Sequence, residues 1–98
     1  MSKLINYNQM SILLYYSNRL FSEEELKDSI NVAAVGSGKG RNYRQVEQEA
    51  QLYLIRDAIM KKPNRRLEKI IGIKQETDYT QEDGEIVKIV LNGIAIFK

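Results

Sequence analysis

Residues 42–63, NYRQVEQEAQLYLIRDAIMKKP, decide how this 98-residue chain is read. They contain no glycine and one proline, at the very end. A helix can therefore run from about Asn42 to Lys62, until Pro63 disfavours helical geometry at the residue before it. Its first half is polar, with Val46 and Ala50 as the inward positions. From Leu52 to Met60 it is apolar nearly all round. Leu52, Ile55 and Ile59 make one stripe, and Tyr53, Leu54 and Met60 the other side. A helix apolar on opposite faces has to be covered on both. The Leu52, Ile55, Ile59 stripe is thus either core or the seam of a homodimer. Asp57 precedes Lys61 by one turn, the favourable order for an ion pair.

Downstream of Pro63 the hydrophobic period changes. Ile70, Ile71 and Ile73 begin a strand, Glu85 to Leu91 form a second, and Ile94 to Phe97 a third. Asn92-Gly93 between the last two is the residue pair preferred in a two-residue type I′ hairpin. That turn sets Leu91 against Ile94 and Ile89 against Ile96 on one aliphatic face. The other face carries Lys88, Val90, Ala95 and Phe97. Asp83-Gly84 reads as a second tight turn or as part of a longer acidic loop.

Upstream, Gly36-Ser37-Gly38-Lys39-Gly40 cannot propagate a helix and reads as a connector. Before it, Ser22 with Glu25 makes a capping box, opening a second helix that shows Leu26, Ile30 and Ala33 on one side. Asn6 with Gln9, and a staple of Ile5 and Met10, open a first helix whose inward face is Met10, Leu13, Leu14, Leu20 and Phe21. The expected fold is α+β in a single domain, residues 1–98. Three helices (6–62) precede a three-stranded antiparallel meander (70–98) packed on the long third helix.

Composition restricts the chemistry. Without cysteine there are no disulfides, thiolate nucleophiles or Cys-based metal sites, and without histidine no Ser-His-Asp triad or imidazole ligand. No run of apolar residues is long enough to span a bilayer, and Asn6, Asn8 and Gln9 interrupt the apolar stretch a signal peptide needs. A cytoplasmic location is expected. Ile, Lys, Asn and Tyr make up about a third of the chain, a bias typical of AT-rich bacterial, phage or plasmid genomes.

The net charge of +2 conceals a segregated distribution. Ten basic residues against four acidic ones lie between Lys39 and Lys74, while residues 76–85 carry only acidic charge. Lys39, Arg41, Arg44, Lys61, Lys62, Arg65, Arg66 and Lys69 are the candidate contacts for nucleic-acid phosphates or an acidic partner. The glycine stretch lacks the spacing of a phosphate loop, and the acidic segment lacks the glycine and glutamate positions of a calcium loop. Tyr15, with Ile12 and Arg19, falls on the polar side of the expected first helix, with the composition of a protein-interface anchor. No catalytic, cofactor or metal-ligating set converges. The expected function is a small non-enzymatic regulator or inhibitor, phage or mobile-element encoded, acting by stoichiometric binding to a protein or nucleoprotein. Direct DNA or RNA binding through the basic band is the alternative.

Overall fold

The computed structural model describes residues 2–16, 22–39, 42–80 and 86–98. It has five strands and two helices in the order β1 (Ser2–Tyr7), β2 (Met10–Tyr15), α1 (Glu23–Leu26), β3 (Ile30–Lys39), α2 (Tyr43–Lys61), β4 (Leu67–Thr80) and β5 (Ile86–Phe97). The strands form one sheet in the order β1-β2-β4-β5-β3, parallel between β2 and β4 and antiparallel elsewhere.

Helix α2 matches its expectation. Asn42 caps it, accepting from the Gln45 amide at 2.9 Å while Gln45 Oε1 accepts from the Asn42 amide at 3.2 Å, and the helix stops at Pro63. It lies across one face of the sheet, where Val46, Ala50, Leu54, Ile55 and Ala58 meet Ile12, Leu14, Val32, Ala34, Ile70, Ile73, Ile89 and Leu91. Along β3 the helix-facing residues shrink from Ile30 through Val32 and Ala34 to Gly36. A β-carbon at Gly36 would stand 2.6 Å from the Val46 carbonyl oxygen, so this position needs glycine for close approach.

The rest of the three-helix, three-strand arrangement is overturned. Residues expected in the first helix form the β1–β2 hairpin, with Tyr7 paired to Met10 across Asn8-Gln9, both at positive φ (46° and 66°). That is the two-residue turn whose twist suits paired strands. The run from Ile12 to Tyr16 is apolar on successive residues, so spacing alone does not separate helix from strand. Sheet pairing decides it. In the second helix only Glu23–Leu26 is helical, with Ser22 accepting from the Glu25 amide at 3.1 Å. Ile30 onward, through Gly36, Ser37, Gly38 and Lys39, is strand rather than helix and connector.

The expected meander is also replaced. Asn92-Gly93 makes no turn; β5 runs straight through it, paired with β3 from Ile30↔Ala95 to Lys39↔Ile86 and with β4 on its other side. A local turn preference loses to ladders on both edges. Ile89, Leu91 and Ala95 therefore face α2, while Val90, Ile94 and Ile96 face away. Opposite Gly93 the β4 register shifts between Ile71 and Lys74, and Gly72 takes φ 59°. This is a glycine bulge, and it turns both Ile70 and Ile73 toward α2. Asp78 is paired with Lys88, a favourable cross-strand match; Asp83-Gly84 lies outside the described residues.

The turn at Gln9 gives a test whose sign separates hairpin from helix. In a helix, glycine at this position would cost about 1 kcal/mol. In the observed turn it relieves a left-handed conformation that costs an L-residue about 1–2 kcal/mol. Gln9→Gly is expected to raise the melting temperature by several degrees; a drop would contradict the hairpin.

Candidate interaction surface

Strand alternation sends each side chain either toward α2 or to the opposite face of the sheet. On that opposite face, β1 contributes Leu4, β2 Leu13 and Tyr15, β5 Val90 and Ile94, and β3 Val35. Leu4 and Val35 are 58% and 48% exposed, and Leu13, Tyr15, Val90 and Ile94 are half-buried. Lys74, Glu76, Asp78 and Lys88, all exposed, belong to the same face by register. Ile71 and Ile96 share this face by register but are buried, and Lys69 beside them pairs with Glu25 of α1. The accessible apolar surface therefore lies to either side of that covered centre, at Leu4, Leu13 and Tyr15 and at Val35, Val90 and Ile94, with charges of both signs beside it.

The anchor trio does not stay together. Ile12 is fully buried against α2, because it lies an odd number of residues from Tyr15 and so points through the sheet the other way. Tyr15 is on the open face and makes contacts within the chain. Arg19 lies outside the described residues. From sequence Leu13 is expected on the inward face of the first helix, and Ile94 and Val90 on opposite faces of the hairpin, while Leu4 and Val35 carry no role; none of the five is expected as a contact surface.

The stripe on α2 is divided as well. Ile55 is fully buried, Ile59 is half-buried against the core, and Leu52 is 40% exposed. The apolar surplus lies on the outermost line of the helix, where Tyr53 and Met60 are 42% and 67% exposed. A hollow of about 340 Å³ lies there among Gln45, Gln48, Glu49, Leu52 and Tyr53.

Much of the basic cluster is engaged within the chain. Lys61 pairs with Asp57 at 3.0 Å and donates to the Asn31 carbonyl, while Asp57 accepts from the Ala33 amide at 3.0 Å. Together they cover part of the outer edge of β3, which would otherwise be open to pairing. Lys62 donates to the Asp28 carbonyl and lies 5.4 Å from the Phe97 ring centre. Arg65 donates to the Lys98 carbonyl and approaches Asp28 at 3.6 Å. Lys69 meets Glu25 at 3.1 Å, with both side chains mostly buried. These contacts tie α1, the end of α2 and the last strand together. Arg44 and Arg66 are exposed; Arg41 and the Lys39 side chain lie outside the description.

A cleft of about 330 Å³ between the β1–β2 hairpin and α2 is lined by Ser2, Lys3, Tyr16, Glu47, Gln51 and Gln75. Gln51 is buried, and both ends of its amide are used. Its oxygen accepts from Lys3 Nζ at 3.1 Å, and its nitrogen donates to the Tyr16 hydroxyl at 2.7 Å. The set reads as a buttress holding the hairpin to the helix. Burial pushes the Tyr16 hydroxyl above its ordinary 10.0; the Gln51 hydrogen bond opposes this, and Glu47 and Tyr43 add to it. A raised value favours the neutral form in the folded state. Its contribution is complete below the unfolded-state value and is lost as pH rises through the folded one. Unfolding curves are expected to show stability declining above about pH 10, with Tyr16 ionising after an exposed tyrosine does. A phenolate titration at the ordinary value would contradict the buttress.

No protein-family model, curated protein or solved structure matches this chain.

Proposed function

We propose that this protein is a small non-catalytic regulator or inhibitor that acts by stoichiometric binding, with a protein or nucleoprotein partner seated on the open face of its sheet. The observation that carries this reading is the accessible apolar side chains of that face, Leu4, Leu13 and Tyr15 on one side of the buried Ile71 and Ile94, Val90 and Val35 on the other. An antiparallel sheet with one solvated face ordinarily alternates apolar-in with polar-out. Here the outward positions carry apolar side chains on both edge strands and on β5. Lys74, Glu76, Asp78 and Lys88 supply flanking charge, and an apolar centre with a polar rim is the anatomy of a protein interface.

Nucleic-acid binding is the weaker reading. Lys61, Lys62, Arg65 and Lys69 already have intrachain partners, and breaking those contacts to reach phosphates would loosen the fold. The cysteine-free composition suits the reducing cytoplasm, where we place the protein, and the share of Ile, Lys, Asn and Tyr supports a phage or mobile-element origin.

The test is affinity capture from a lysate of the source organism, with and without nuclease. The wild-type chain is expected to retain one protein in stoichiometric amount after nuclease, and Leu4→Lys with Val35→Lys to lose it while melting unchanged. Retention by the double variant, or capture of nucleic acid without any protein, would contradict the proposal.

A further inference from the structure

We infer that the outer face of α2 is a self-complementary seam through which two copies of this chain associate as an antiparallel, two-fold symmetric dimer. Beside the exposed Gln48, the outward side of the helix carries Gln45, Glu49, Leu52, Tyr53, Arg56 and Met60. They are arranged symmetrically about the point midway between Leu52 and Tyr53. When a second α2 lies antiparallel with the two-fold axis at that point, every residue meets its mirror position. Leu52 faces Tyr53 of the other copy, Glu49 faces Arg56, and Gln45 faces Met60. In a two-fold interface each such contact occurs twice.

Three properties of the six positions favour a second copy over another occupant. The first is charge. The carboxylate and the guanidinium stand at mirror positions, so the two cross-axis pairs are both attractive. A parallel arrangement would set Glu49 against Glu49 and Arg56 against Arg56. Glu49 is already engaged within its own chain, and a carboxylate has acceptor sites for more than one donor.

The second is shape. Gln45, Gln48, Glu49 and Leu52 stand at the i, i+3, i+4 and i+7 positions that bound a hole on a helix surface, and with Tyr53 they line the hollow. Met60, the most exposed of the large apolar side chains described, meets Gln45 at the rim of the other copy's hole, and Arg56 meets Glu49 within it. The third is the apolar centre itself, where Leu52 and Tyr53 flank the axis at 40% and 42% exposure.

A 19-residue helix is about 28 Å long, and the proposed seam is a single line of six side chains along it, a narrow contact beside the roughly 20–30 residues a side of a standard stable interface. The dimer is therefore expected to be weak and concentration-dependent. The seam is separate from the open sheet face, so two such faces would point outward from one dimer.

Charge reversal with complementation tests the geometry. Sedimentation equilibrium of the wild-type chain is expected to show a monomer–dimer equilibrium. Arg56→Glu alone leaves four acidic groups at the seam, and Glu49→Arg alone leaves four basic ones. Each is expected to weaken self-association at least tenfold with its melt retained. Mixing the two variants restores both pairs as attractive contacts, so the mixture is expected to form a heterodimer about as tight as the wild-type dimer. A wild-type chain that stays monomeric at millimolar concentration would overturn the inference. So would single variants that dimerise like wild type, or a mixture that fails to associate when each variant folds. None of these outcomes bears on partner capture by the sheet face.

Discussion

Gly36→Val is expected to lower the melting temperature by about 15 °C. A β-carbon at this position would lie 2.6 Å from the Val46 carbonyl oxygen and 3.1 Å from both the amide nitrogen and the β-carbon of Ala50. Two of those three atoms are helix backbone, which cannot rotate away as a side-chain tip can. Strand β3 and helix α2 would have to separate along a contact that also carries Val32 and Ala34. Overpacking that forces off-rotamer side chains and backbone shifts typically costs about 1–3 kcal/mol, occasionally more. A loss of about 3 kcal/mol is a large part of the 5–15 kcal/mol that holds a domain folded. Were Gly36 part of an open connector, valine there would be nearly neutral, so a melt within about 2 °C of wild type would contradict the packing of β3 on α2.

Ile55→Ala is the second large effect. Ile55 is fully buried beneath α2, and removing a buried isoleucine side chain beyond its β-carbon costs about 2–5 kcal/mol through lost burial and the cavity left behind. Leu52→Ala, three residues earlier on the stripe read from the sequence, removes a side chain already 40% exposed and is expected to cost less than about 1 kcal/mol. Urea unfolding of the two variants below the dimer's association range measures the contrast. Equal and small losses would mean that Ile55 is a surface residue and that α2 is rotated about its axis from the orientation described.

What could be read from the sequence was the part specified by local signals that tertiary structure did not oppose. Helix α2 carries its cap at Asn42 and its stop at Pro63, and no competing pattern lies inside it. The Ser22–Glu25 capping box correctly marked a helix start, but not how soon the helix would end. The failures share one cause. Ile12 to Tyr16, and Ile30 to Val35, are stretches in which apolar residues occur on both faces, and only long-range pairing distinguishes strand from helix there. Asn92-Gly93 had the composition of a hairpin turn, yet it sits in a strand paired on both edges, opposite a bulge that requires a small residue at Gly93. Gly36 reads from sequence as the end of a helix and the start of a connector; it lies instead inside β3, where close contact with α2 requires it.

The same distinction governs the candidate sites. Segregated basic charge is visible in a sequence, whereas the acceptors that occupy it come from distant elements. Asn31, Asp28 and the Lys98 carbonyl lie 30 or more residues from the bases they accept from. The open sheet face could not be assembled before the strand order was known, since it joins β1, β2, β5 and β3. The outward stripe of α2 was closer to legible. Leu52, Tyr53 and Met60 were recognised as apolar, and only the sheet beneath the helix shows which of its two apolar sides points outward.

Site-specific photo-crosslinking in the source organism separates the open-face reading from its alternative in one measurement. A photoreactive phenylalanine analogue replaces Val35 in one sample, and in two others Arg44 or Arg66 of the basic band. Binding through the open sheet face predicts a single protein adduct at position 35 that survives nuclease, with none of comparable yield at 44 or 66. A nuclease-sensitive adduct at 44 or 66, with position 35 unreacted, would contradict it.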